Sequence, residues 1–336
     1  MRDFRTVLRR ERRTEDRTRL EGRRLVGEIP RNDQEPSGSV PSYTTAPVSE
    51  WLGSHVYAAL GIPVHETVLG IRDGRIVCAC RDFTFPDSRL VNFHDLKNSL
   101  SDDEPGFTED ASTGSGVVLA DVRSAIHRIP VLRSIDGVSD RFWDMFVVDA
   151  FIRNIDRNNT NWGVLRNPRG EFSLAPVYDN GNSFNNKRTD SGIERRLANP
   201  DLIRQDALDV RSCYVTDRGK PIAPLKYLAS GQDEECTKAL DRFMERYDPR
   251  SFHDLLGSIP SMSHGLTVVP DGFHEYHRRV CDYRYEHAFM EAWRDLHPTV
   301  GVPSSPEASV PEPLPDPDPS VLPSSSVPTC FDGPGM

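Results

Sequence analysis

The chain has 336 residues, 37% of them hydrophobic, with 41 basic against 51 acidic side chains and a formal net charge of −10. That is enough apolar material for one sizeable core, and the acidic balance excludes a dedicated nucleic-acid binder, whose phosphate contacts need clustered Lys and Arg. No apolar run approaches the length of a membrane span, and six scattered cysteines with no signal peptide before them argue against a disulfide framework, so reduced thiols in a cytoplasm are expected.

Ten arginines and six acids fall in the first thirty residues with almost no apolar period, which reads as solvated helix or disorder rather than core. Asn32 to Pro41 is a loop by its Pro, Gly and Ser content. Pro47 opens a helix that ends at Gly61, with Val48, Leu52, Val56, Ala59 and Leu60 on its buried side. Glu50 falls in its first turn, where a carboxylate complements the helix dipole. Glu66 to Gly70 and Arg75 to Cys80 are two strands around Asp73-Gly74, a strong hairpin signal. Cys78 and Cys80 alternate in the second strand as small buried hydrophobes.

Asp87 to Arg133 is polar, with loops at Asp102 to Gly106 and Ser112 to Gly116 and a helix over Val117 to Ile126. A helix over Asp140 to Asn154 carries a broad apolar face, including Phe142, Met145, Phe146, Val148 and Phe151. Val164-Leu165 and Phe172 to Leu174 are short strands joined by the turn Asn167-Pro168-Arg169-Gly170. Asn182 to Asp201 is polar, and Leu225 to Pro260 and His274 to Leu296 are helical by period, giving an all-α C-terminal part. His274, His277 and Cys281 share one helix face and are metal-ligand types, but with no fourth ligand in sight a satisfied core face is the reading. From Pro298 onward, eleven prolines in 39 residues with Ser, Asp and Glu make a disordered tail.

The chemistry concentrates in Ile155 to Gly163 and Asp179-Asn180-Gly181. Asp156 and Asn161 stand five apart, the spacing at which a phosphotransferase loop places a general base and a magnesium ligand, and Asp179 in the following Asp-x-Gly supplies a second ligand. The hairpin between them carries the chain back and sets Asp179 beside Asn161. Two oxygen ligands then converge on one hard cation, which completes its shell with phosphate oxygens and water.

The run Phe142-Trp143-Asp144-Met145-Phe146-Val147, then Asn154-Ile155-Asp156-Arg157 through Asn161-Trp162-Gly163, then Ala175-Pro176-Val177-Tyr178-Asp179, closely resembles the HipA-like serine/threonine kinases, particularly the short CtkA-type branch. Ser49-Glu50, Gly61 to Gly70 and Val77 to Phe83 look like the same branch in order. The resemblance spans residues 40 to 290 and implies an α+β, two-lobed, protein-kinase-like fold. Its N-lobe is small and incomplete over 41–85, and a mainly α-helical catalytic C-lobe follows over 86–297; residues 1–40 are an atypical Arg-rich, disordered or mistranslated segment, and 298–336 the tail.

The resemblance also implies an ATP- and Mg2+-dependent protein kinase. Glu50 would match the helix glutamate that pairs with the ATP-contacting lysine. Arg81-Asp82-Phe83 would be the hinge whose backbone meets adenine, which puts Cys80 and Asp82 at the nucleotide, and Arg157 or Asn158 would orient the loop or a phosphate. The partner would be a protein with a Ser/Thr acceptor, with no membrane and no direct nucleic acid. Larger HipA toxins meet a HipB-type antitoxin through an extra N-terminal subdomain, for which this chain has no room, so that partner is not expected.

One departure stands out. The resembling kinases carry a lysine in a Val-Lys-Phe-Pro-like strand ahead of the Glu50 helix, whereas the first lysine here is Lys97, and Val26-Gly27-Glu28-Ile29-Pro30 offers a carboxylate where a cation belongs. Arg23, Arg24 or Arg31 would be bulkier, planar substitutes. The expectation is weak ATP binding and slow or absent phosphorylation. The rival reading is therefore a pseudokinase or binding module, or else a misassigned start or shifted reading frame over the first thirty-odd residues; a small-molecule or lipid kinase is a weaker third.

Overall fold

A computed structural model describes residues 2–3, 17–20, 23–28, 45–101 and 116–298. The loops expected at Asn32 to Pro41 and Asp102 to Gly106, most of the one at Ser112 to Gly116, and the tail after Pro298 lie outside the described residues.

The N-terminal part is a five-stranded sheet with one helix on it. The strands are β1 (Arg2–Asp3), β2 (Arg17–Leu20), β3 (Arg23–Glu28), β4 (Thr67–Arg72) and β5 (Arg75–Arg81), in the order β1-β4-β5-β3-β2. The β4–β5 hairpin turns at Asp73 and Gly74, both with positive φ, which suits the right-handed twist of the strands. Helix α1 (Ala46–Ala59) has proline in its first turn and buries Val48, Leu52, Val56 and Tyr57 in the core that also takes Leu69, Cys78 and Cys80.

The expectation for residues 1–46 is corrected here. Three stretches of that segment are strands: β3 pairs antiparallel with β5 from Leu25 opposite Arg81 to Glu28 opposite Cys78, and β1 pairs parallel with β4. Hairpin β4–β5 alone would leave two open edges, and backbone pairing asks for no side-chain period, so composition gave no sign of it. The sheet is thus larger than the 41–85 remnant that was expected.

The rest is built on α5 (Val138–Ile152), within two residues of the expected helix. It is apolar nearly all round, as a helix with neighbours on every side must be, and Phe142, Trp143, Val147, Phe151 and Ile152 are fully buried. Between the two parts come β6 (Arg89–Asn92), α2 (Phe93–Ser101), β7 (Val117–Val118), α3 (Leu119–Arg128) and α4 (Pro130–Arg133). After α5, β8 (Gly163–Arg166) and β9 (Phe172–Leu174) form the expected hairpin, and β6 adds to it on the far side in the order β6-β8-β9. Gly163 is required there: a Cβ would sit 2.3 Å from the Val91 carbonyl oxygen. Phe93 stacks on Trp162 at 4.1 Å and ties α2 to the end of the loop.

Helices α6 (Asp190–Leu197), α7 (Pro200–Leu208), α8 (Pro224–Ser230), α9 (Glu234–Arg246), α10 (Pro249–Gly257), α11 (Phe273–Arg284) and α12 (Met290–Leu296) complete the chain, with one π turn at Tyr285–Phe289 joining the last two. The C-terminal part is not wholly α: Tyr214–Val215 pairs with β7, and Met262–Ser263 with Leu266–Thr267. His277 and Cys281 are buried, with the His277 ring edge-on to Phe273 and Phe184, as a core face requires. Among the described residues no helix is long and apolar enough to cross a membrane.

Candidate active site

Helix α5 stops where Arg153 takes a left-handed conformation (φ 57°), and the chain then folds back as the loop 154–162. Local side-chain bonds set the loop's shape. Asn154 Oδ1 accepts the Asp156 N–H at 3.1 Å, and Asn158 Oδ1 accepts the Thr160 N–H at 2.8 Å. The Asn161 side-chain amide donates to the Asp156 carbonyl at 2.7 Å, which closes the five-residue span between them.

Arg157 anchors the loop from below. It is 1% exposed, and its guanidinium donates five times: to both oxygens of Asp149, to the Asn161 and Tyr178 carbonyls and to Asn180 Oδ1. Asp149 also accepts from the Tyr57 hydroxyl at 2.8 Å and the Asn154 amide at 3.2 Å. Because Arg157 reaches both Asn161 and Tyr178, it holds the two ends of the β8–β9 excursion side by side and brings Asp179 next to the loop. Of the two roles expected for Arg157, orienting the loop or a phosphate, its contacts are those of the first, since every guanidinium donor is used inside the protein. Asn158 likewise serves the loop, donating to Asp156 Oδ1 at 2.8 Å.

Asp156 is therefore held on both sides. Asn158 takes one carboxylate oxygen, and the Asn182 amide donates to the other at 2.8 Å. Asp179 has a positive φ of 58° and a carboxyl pushed up to about 6, mainly by burial and then by the negative charge of Glu50, with Asp156 adding to it. Three carboxylates thus face a region to which the Asn161 amide also belongs. An excess of negative charge with oxygen donors fits a hard dication, so Asn161 and Asp179 are suited to hold magnesium, which would neutralise phosphate charge there.

The nucleotide-side residues sit differently from expectation. Glu50 is in the second turn of α1 rather than the first and is fully buried; it does not serve the helix dipole. Its carboxylate contacts His65 Nε2 at 2.7 Å and accepts from the Ser54 hydroxyl at 3.3 Å and the Asn180 N–H at 2.6 Å. Cys80 lies inside the sheet, in register with Thr67 on one side and Val26 on the other, so its backbone is within the ladder, next to the Arg81-Asp82-Phe83 stretch expected as the hinge. Asp82 lies just past β5, where it accepts the Thr84 N–H at 3.0 Å and shapes the turn. Sequence reasoning missed Asp149, Asn180, Asn182 and His65. A lone carboxylate in the apolar run Val147-Val148-Asp149-Ala150-Phe151 was the available signal for the first; the other three carry none.

No family model matches the chain. The serine/threonine-protein kinase CtkA of Helicobacter pylori (strain J99) is 34% identical over 224 residues, which are 66% of this chain and 66% of that protein. The crystal structure of a Helicobacter pylori proinflammatory kinase CtkA superposes with a TM-score of 0.72 at 26% identity, over 85% of this chain and 95% of that one. The chain belongs to the HipA-like serine/threonine kinases. HipA in the Shewanella oneidensis MR-1 toxin–antitoxin complex with HipB and operator DNA overlaps more loosely, at a TM-score of 0.41 and 12% identity over 80% of this chain and 60% of that one. Within the HipA-like fold the loop 154–162 and Asp179 lie together at one site, with Glu50 reaching it through the Asn180 backbone.

Proposed function

We propose that this HipA-like kinase transfers the γ-phosphoryl group of ATP to a serine or threonine hydroxyl of a protein, with Asp156 as the base. The observation that carries the reading is the clamping of the Asp156 carboxylate between the amides of Asn158 and Asn182, both at 2.8 Å. A base held in one orientation is ready to accept a proton without first losing side-chain freedom. The acceptor oxygen bonds to the γ-phosphorus as the bond to the β–γ bridging oxygen breaks, and the hydroxyl proton passes to Asp156 while ADP departs with that oxygen. Asn161 and Asp179 would hold magnesium, which would supply charge neutralisation at the phosphates. The likeness to a named serine/threonine-protein kinase supports a protein acceptor.

Asp156→Asn tests the role. It keeps the shape and one of the two amide contacts, its own NH2 being unable to accept from the other, and it cannot take the proton, so turnover falls at least about 10²-fold while nucleotide affinity stays close to wild type. Retention of more than about a tenth of wild-type turnover removes Asp156 from the role.

A second reading, a pseudokinase that binds without turnover, is favoured by the surroundings of Glu50, where among the described residues the contacts come from His65, Ser54 and Asn180 and from no lysine. Thermal shift separates the two, since nucleotide at 100 times Kd stabilises a binder by about 2.7 kcal/mol. Binding without phosphate transfer under any metal would select the second.

A further inference from the structure

Glu50 is the most deeply buried carboxylate of the site, and among the described residues neither lysine nor arginine bonds it. A buried carboxylate needs a compensating cation or a full set of donors. What surrounds it is a donor set of another kind. Glu50 from α1, His65 from the segment leading into β4 and Cys80 from β5 bring a carboxylate oxygen, an imidazole nitrogen and a sulfur within 4.8 Å of one another. It is the one such group among the described residues. All three are buried, at 0%, 7% and 7% exposure.

We infer that Glu50, His65 and Cys80 form a binding site for a borderline-soft divalent transition metal, with Zn2+ as the ion the donor set fits best. Oxygen, nitrogen and sulfur are the three ligand types zinc takes, at roughly 2.0–2.3 Å, which for tetrahedral angles puts ligand atoms roughly 3.3–3.8 Å apart. His65 Nε2 and Glu50 Oε1 lie 2.7 Å apart, and all three ligand atoms lie within 4.8 Å of one another. Magnesium, which wants oxygen ligands in octahedral array, is not suited to a site with a sulfur and an imidazole.

The supporting contacts already hold the carboxylate. Glu50 Oε2 accepts the Asn180 N–H at 2.6 Å, and Ser54 Oγ lies 3.3 Å from Oε1 and 3.2 Å from His65 Nε2. Such outer contacts fix ligand orientation. On binding, the proton shared by His65 and Glu50 and the Cys80 thiol proton leave, and the dication is balanced by carboxylate and thiolate. A fourth position remains for water. Three ligands from three elements make the ion a clip, joining α1 to β5 and to the strand entry at His65. It does for the helix what a lysine–glutamate pair would do from the sheet, and it is read out without nucleotide, so it stands or falls independently of phosphoryl transfer.

The test uses the full chain, freed of metal by a chelator and titrated with Co2+. A thiolate-to-cobalt charge-transfer band and visible d–d bands saturating at one equivalent, then bleached by Zn2+ and untouched by excess Mg2+, are expected. Cys80→Ser removes the charge-transfer band, whereas Cys78→Ser, two residues away on the same strand, keeps it. His65→Gln weakens the metal more than about tenfold, the lower end of what losing only an outer-shell contact does. Asn161→Ala leaves it unchanged, and circular dichroism verifies folding of each variant. No one-equivalent cobalt spectrum in the wild type, or the same band in Cys80→Ser, overturns the site. Should Cys80→Ser fail to fold, unchanged cobalt affinity in His65→Gln overturns it instead.

Discussion

The loop around Asp156 and the cluster around Glu50 both bury charge, and they satisfy it in opposite ways. At the loop, Arg157 and Asp149 are paired two ways, and every remaining donor of the guanidinium ends on a carbonyl or amide oxygen. At Glu50 the carboxylate meets an imidazole, a hydroxyl and one backbone N–H, with a thiol nearby. The first network is closed; in the second, among the described residues, no Lys or Arg bonds the carboxylate, and that is where the inferred cation would sit. The two networks depend largely on different side chains, and Asn180 bonds into both, to Arg157 by its side chain and to Glu50 by its backbone N–H.

The sharpest way to break that comparison is to open the closed network. Asp149→Ala leaves the Arg157 guanidinium buried without its counter-charge and should cost about 3–5 kcal/mol, read by denaturant unfolding. A loss below 1 kcal/mol would mean that Arg157 finds other partners and that the loop is not held from below.

Next come the proposed magnesium ligands. Asn161→Ala and Asp179→Ala should each weaken magnesium-dependent nucleotide binding by about tenfold or more, since each removes one oxygen from an ion with few protein ligands. Calorimetric titration with and without Mg2+ reads this, and identical titrations in both variants would count against the pair.

Asn180, which bonds into both regions, can be strained directly. A Cβ on Gly53 would lie 2.8 Å from Asn180 Cβ, so α1 approaches the Asp179–Gly181 turn as closely as only glycine allows. Gly53→Ala should destabilise by about 1–3 kcal/mol through overpacking. It should also lower turnover, because Asn180 bonds both Arg157 and Glu50. Normal turnover in a destabilised variant would show the regions to be uncoupled.

The smallest expected effect lies beneath the segment that follows Asp179. His277 is buried against Phe184, and burial, helped by Arg284, His274 and Arg188, lowers its pKa to about 3. The unfolded chain takes up a proton near pH 6.5 and the folded chain only near 3. Between those values the unfolded state binds more protons, so this contribution is whole above about pH 6.5 and is lost as pH falls. A melting temperature lowered by a few degrees at pH 5, on the order of 1 kcal/mol, is expected relative to pH 7, with a flatter profile in His277→Gln. Equal slopes in the two proteins would remove His277 from the account.

Much of this was legible in the residues. The apolar run around Phe142 to Ile152 determined the central helix, Asp73-Gly74 and Asn167 to Gly170 determined two hairpins, and the Asp156–Asn161–Asp179 pattern pointed to a loop and a turn that the fold sets side by side, because each depends on local period, turn chemistry or short spacing. Pairing between distant backbones was not legible: strands at 17–20 and 23–28 exist because β5 presents an edge to them, and an edge writes nothing into the sequence that covers it. Nor were the partners of buried charge. Asp149 with Arg157, Asn182 with Asp156, and His65 and Cys80 with Glu50 come from separate elements, so only the tertiary packing, which removes water and forces each charged group to take its nearest complement, decided who meets whom.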